Sequence, residues 1–166
     1  MSDSINIMSL IKKRPQAMAE IKGSPVYPDI YGRVYFYKIK QGVIVLSLVY
    51  SLPNLSDLCA ESVLGYHIHS GETCTGNDTD YFSNALGHYN PANCPHPYHA
   101  GDMPPLFNAN GTAFSAFLTD RFTIEEIIGK TVIIHSMPDD FTTQPAGNSG
   151  VRIACGEIML LNNKRL

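Results

Sequence analysis

Six histidines, at positions 67, 69, 88, 96, 99 and 135, together with Asp102, are the residues whose types and spacing could do chemistry. That chemistry is metal binding. His67 and His69 are separated only by Ile68. In a strand, alternate residues point to one face, so both imidazoles can reach a single ion. Such a pair is weak by itself, because two surface histidines on a strand look the same. His96, His99 and Asp102 stand at three-residue steps in H-P-Y-H-A-G-D. Two imidazoles and a carboxylate suit zinc, which favours tetrahedral nitrogen and oxygen ligation. Pro95, Pro97 and Gly101 disfavour a helix there, so a turning loop must wrap the ion. The motif lacks the Glu of H-E-x-x-H, which argues against a zincin protease. His88, in G-H-Y-N-P, lies between the two groups and could join either metal, or both through its two ring nitrogens. His135 ends the apolar run Val132-Ile133-Ile134, where a buried strand would hold it rigidly. A hydrogen-bonded core histidine reads equally well at that position alone. All six fit one scheme with none left over.

The elements that must position these residues are strands. Gly32 to Lys40 and Val43 to Tyr50 are β-rich runs joined at Gln41-Gly42, a hairpin signal. Gly65 to His69, Thr112 to Leu118, Lys130 to Ser136 and Val151 to Leu161 add further strands, and Ala17 to Lys22 is a weaker first one. About eight short antiparallel strands separated by turns indicate an all-β sandwich or barrel. Two stretches break the pattern: residues 70–107, rich in Gly, Asn, Asp and Pro, and residues 138–150. Structureless segments of this length inside a compact domain are usually functional. These two carry or flank most of the histidines.

Composition sets the outer limits. The chain has 166 residues, enough for one domain with a real core, and we expect a tail over residues 1–16 and one domain over residues 17–166. The net charge of −3 gives no basic excess for nucleic acid, and no apolar run is long enough to span a bilayer. In the first 16 residues Ile5, Ile7, Met8, Leu10 and Ile11 precede Lys12-Lys13-Arg14, the reverse of a secretory signal. The expectation is a cytoplasmic protein unless a leader has been removed. The cysteines at 59, 74, 94 and 155 include no CxxC pair, which argues against a zinc ribbon or a thioredoxin-like site.

The chain also resembles the copper/zinc superoxide dismutase family. G-Y-H-I-H, G-H-Y-N-P, H-A-G-D, V-I-I-H-x-x-P-D-D and G-N-S-G-V-R-I-A-C-G occur in the family's order, from about Ala17 to Leu160. The resemblance implies a Greek-key β-barrel with a long metal-binding loop and a shorter electrostatic loop. It implies copper on His67, His69, His88 and His135, and zinc on His88, His96, His99 and Asp102, with His88 shared. Asp139 would link a copper-side to a zinc-side histidine, and Arg152 would guide the anionic substrate beside a catalytic His88. Cys74 and Cys155 would form the intrasubunit disulfide. The expected activity is dismutation of superoxide, in a protein that is compatible with a homodimer. The chain departs from the family in its short interval between His96 and His99. It also carries Thr142, Thr143 and Gln144 where many relatives have charges, and it adds Cys59 and Cys94. Two rivals remain open at this stage. A copper-storing or copper-delivering protein of the same fold would be expected to lack a ligand or the arginine. A zinc hydrolase would need a general base and an open zinc position.

Overall fold

A computed structural model describes residues 14–53 and 62–161. The strands are β1 (Ala17–Gly23), β2 (Tyr31–Ile39), β3 (Gly42–Tyr50), β4 (Val63–Leu64), β5 (Tyr66–His69), β6 (Leu106–Phe107), β7 (Ala113–Thr119), β8 (Thr131–His135) and β9 (Arg152–Leu160). Seven of them form one antiparallel sheet in the order β5-β8-β9-β1-β2-β3-β7, and β4 pairs with β6. After the β1–β3 meander the chain crosses to the far edge for β5, returns to β7 beside β3, then crosses again to β8. Such crossings make the Greek key, and the curled sheet forms the barrel wall.

Alternation builds the core. In β3, Val43, Val45, Ser47 and Val49 point inward and are buried, while Ile44, Leu46, Leu48 and Tyr50 face out and are half-buried. The inward residues meet Ile21, Val34, Phe36, Ile68, Ile134 and Ile158. The expected hairpin is present, but its turn is Lys40-Gln41, one residue earlier than the sequence suggested. Gly42 already pairs with Ile39 inside the ladder. It is needed there because its φ is +138° and a Cβ would come within 2.2 Å of the Thr119 carbonyl oxygen. The short β4–β6 ladder and a one-turn helix α1 (Ile124–Ile127) were not expected. A signal for α1 was present: Thr123 is followed three residues on by Glu126, and the two form a capping box.

β5 and β8 do not alternate; every residue in both is buried. Their inner residues Tyr66, Ile68, Val132 and Ile134 join the main core. Ile133, on the outer side, forms a second cluster with Phe82, Ala85 and Cys155, and Cys74 packs against it. The long segment 70–107 therefore lies over the outside of these strands. It is fastened by a Cys74–Cys155 disulfide across 81 residues of chain. Cys94 is free, and Cys59 lies outside the described residues. In the chain-entropy account a loop this long is stabilised by about 4 kcal/mol. Replacing both cysteines with Ser should lower the denaturant midpoint accordingly; a shift worth under about 1 kcal/mol would mean that the apolar cluster alone holds the loop.

Candidate metal centre

β5 is an edge strand, and the long loop uses its free edge. Ile68 N–H donates to the Gly101 carbonyl (2.9 Å), Tyr89 N–H to Ile68 O (2.8 Å), and Ser70 N–H to Gly87 O (2.8 Å). These bonds set His88 opposite His69 and Asp102 opposite His67. Gly101 permits the approach, since a Cβ there would lie 2.2 Å from the Ile68 carbonyl oxygen. Two side-chain amides turn the rest of the loop. Asn90 accepts from Cys94 N–H (2.9 Å) and donates to its carbonyl (2.8 Å). Gln144, from the second loop, accepts from His96 N–H (2.9 Å) and donates to His96 O (2.7 Å). The uncharged run Thr142-Thr143-Gln144 thus has a structural use: Asp140 caps its turn, and Gln144 grips the backbone of His96.

The side chains gather into two groups that share one residue. Donor atoms of His67, His69, His88 and His135 all lie within 4.8 Å of one another, as do those of His88, His96, His99 and Asp102. His88 therefore belongs to both groups, and the short His96–His99 interval still closes the second. Four outer ring nitrogens have acceptors. His67 Nε2–H donates to Asp139 Oδ2 (2.7 Å), and His96 Nε2–H to Asp139 Oδ1 (2.8 Å). His69 Nδ1–H donates to Leu86 O (2.8 Å), and His135 Nδ1–H to Gly150 O (3.2 Å). These bonds leave lone pairs on the opposite nitrogens, which point inward. His67 Nδ1, His88 Nε2 and His96 Nδ1 are buried without any hydrogen-bond partner. His69 Nε2 and His135 Nε2 face each other at 3.3 Å. Converging lone pairs repel unless a cation or a proton lies between them, so the donor set fits a pair of metal ions.

The family model described as copper/zinc superoxide dismutase matches residues 30–158. The chain belongs to the copper/zinc superoxide dismutase family. Similar dismutases include a Cu-Zn superoxide dismutase of Legionella pneumophila, 33% identical over 86% of this chain and 89% of that protein. One from Aquifex aeolicus is 30% identical over 78% and 80%. Among solved structures, a double mutant of a SOD-like protein from Bacillus subtilis superposes with a TM-score of 0.69 at 28% identity, over 86% of this chain and 96% of that one.

In this dismutase-family chain a cleft of about 820 Å³ opens beside the shared histidine, lined by His69, His88, His135, Arg152 and Asp80 among others. A bulge in β9 sets up the arginine. Ile134 pairs with Ala154 but His135 pairs with Arg152, so one extra residue lies on β9. Ile153 and Ala154 both enter the core as a result, and Arg152 turns outward beside His135. Its guanidinium is well occupied: Nη1–H donates to Phe82 O and Nη2–H to Leu86 O, both at 2.6 Å, and Asp80 Oδ2 lies 3.4 Å from Nη1. The Leu86 carbonyl thus serves both His69 and Arg152. Leu86 holds φ +61°, ψ −150°, a region seldom occupied by a side chain larger than glycine, which aims that carbonyl inward. Neither Asp80 nor Leu86 was singled out from sequence. A backbone carbonyl has no sequence signature, and Asp80 is an ordinary loop carboxylate by type.

Burial and the neighbouring charges of His135 and His88 hold His69 well below its usual 6.5, despite the Leu86 hydrogen bond. Burial and the charge of His67 bring His135 down to about 3. His67 is lowered mainly by burial, against the Asp139 hydrogen bond. Burial pushes the Asp139 carboxyl up, but hydrogen bonds from His67, Phe141 N–H and His96 outweigh it and bring it to about 2. For each of these histidines the unfolded chain binds its proton at higher pH than the native one. Their stabilisation is complete above about 6.5 and is lost as pH falls toward the native values. Asp139 acts in the same direction below its ordinary 3.8. The metal-free protein should therefore show a Tm that falls steadily from pH 7.5 to pH 4. A flat profile would contradict the burial of neutral imidazoles.

Proposed function

We propose that the protein dismutates superoxide, oxidising one superoxide to dioxygen while a second, with two protons, is reduced to hydrogen peroxide. The observation that carries this reading is the pair of donor groups sharing His88, with the buried His67 Nδ1 and His88 Nε2 left without a hydrogen-bond partner between them. His67, His69, His88 and His135 would hold copper, and His88, His96, His99 and Asp102 would hold zinc. Copper bound there would supply a one-electron couple that zinc cannot provide.

The remaining steps belong to the chain. Asp139 orients His67 and His96 together, so the two groups move as one frame. His88 keeps Nδ1 within 2.7 Å of the Asp102 carboxylate and presents Nε2 to the other group. At Nε2 it can take up a proton and pass it to a reduced anion in the cleft. Arg152, held by two carbonyls at the cleft wall, supplies a fixed positive charge and a planar fork for a small anion. His88, His96, His99 and Asp102 together would fill a tetrahedral zinc site and leave no open position, which disfavours a hydrolase.

Metal analysis together with pulse-radiolysis turnover of the copper- and zinc-loaded protein tests the reading. Both metals bound near one per chain, with rapid second-order loss of superoxide, is the expected result. A second reading, a metal-binding protein without turnover, draws support from the resemblance to proteins named only dismutase-like, among them one from Bacillus subtilis at 34% identity. It predicts full metal occupancy with no catalysis.

A further inference from the structure

The charged side chains that line the cleft balance, so any excess positive charge there would come from bound metal and not from the chain. Among the described residues lining it, Arg152 is the only Lys or Arg and Asp80 the only carboxylate. The two charges lie 3.4 Å apart, with the arginine side chain 19% and the aspartate 39% exposed. Arg152 does not need Asp80 for its placement, because the Phe82 and Leu86 carbonyls already bind both ends of the guanidinium. Nor is Asp80 a wandering side chain. Its Oδ1 accepts from Phe82 N–H at 3.0 Å, and its carbonyl accepts from Asn77 N–H and Ser83 N–H. The second loop offers no cation to compensate, since Thr142, Thr143 and Gln144 are uncharged and committed to turn and backbone bonds.

We propose that Asp80 is a specificity-determining residue of this cleft, whose carboxylate offsets the Arg152 charge and limits how strongly the site draws in small anions. A lone charge attracts an anion with an energy that falls as the inverse of distance. A plus–minus pair this close loses most of that reach, because at several times the separation the two contributions nearly cancel. Electrostatic collection by clefts of one sign raises association rates by about 10- to 1,000-fold. This chain holds back much of that range, and removing one carboxylate should release part of it.

The test uses Asp80→Asn, which keeps an acceptor for Phe82 N–H and removes only the charge. Asp80→Ser is the companion variant, with a hydroxyl that can also accept at that spacing. Tm and metal content identify any variant that is merely damaged. In the copper- and zinc-loaded full chain, azide affinity is read from the copper spectrum, and the superoxide rate constant is followed against ionic strength. Azide should bind about 3- to 10-fold tighter at low salt, and the rate constant should rise similarly and fall more steeply as salt is added. A third reading needs neither copper nor turnover: the inorganic phosphate concentration that half-protects Arg152 from phenylglyoxal, followed by mass spectrometry, should drop by a comparable factor. The activity arm rests on the dismutase reading, so a wild type without turnover would sink that reading and leave the phosphate arm to decide this one. Unchanged or weaker anion binding in a folded neutral variant overturns the proposal and makes Asp80 a positioning residue for the loop.

Discussion

Dismutase activity is expected to vanish in the His67→Ala variant, with copper content falling well below one per chain. His67 is completely buried on the outer side of β5, and its Nδ1 is one of the partnerless inward nitrogens. The same ring carries the hydrogen bond to Asp139, so its loss also frees one oxygen of the carboxylate that orients His96. A cavity plus an unpaired buried acceptor should cost about 2–4 kcal/mol of stability. The barrel core does not include this side chain, so the variant should still fold. Circular dichroism and thermal unfolding check the fold, metal analysis the occupancy, and pulse radiolysis the activity. Wild-type turnover with copper at full occupancy would make the ligand assignment wrong.

Reversing the charge at Arg152 should have the second largest effect. In Arg152→Glu the rate constant for superoxide should drop by about 100-fold, within the range by which electrostatic collection alters encounter. The carboxylate would face the Phe82 and Leu86 carbonyls and Asp80, so residues 80–86 should loosen as well. Because Leu86 O also accepts from His69, a modest fall in copper affinity should accompany the kinetic loss. Arg152→Lys should lie between the two, since an ammonium keeps the charge but cannot bridge both carbonyls and still present a planar fork. The wild-type rate should decline only weakly with salt, because Asp80 already blunts the field that salt would screen. An Arg152→Glu protein as fast as wild type would remove electrostatic guidance from the mechanism and favour the metal-binding reading.

Much of the molecule was legible in the order of residues. β-rich runs bounded by turn residues placed β1, β2, β3, β5, β7, β8 and β9 to within a residue or two at each end, because residue type and turn punctuation act locally along the chain. The residues that gather into the two candidate groups were legible too, since few side chains hold metals and all six histidines lie in or beside two irregular segments. The Cys74–Cys155 bridge implied by the family resemblance is present. The two-residue β4 and β6 carry too few residues for any period to show.

Other features depend on contacts between segments distant in the chain, and only the tertiary structure decided them. From sequence His88 could serve either group or both. It joins both because Gly101 lets residues 87–102 close on the free edge of β5. The short second loop looked impoverished, yet Gln144 bonds to a peptide 48 residues away. Arg152 looked like a bare positive charge. Its orientation comes from a bulge in β9, and a carboxylate 72 residues earlier in the chain lies 3.4 Å from it. Residue type and spacing determine which groups can bind or titrate, whereas the net field at a site is a sum over neighbours that only the folded chain brings together.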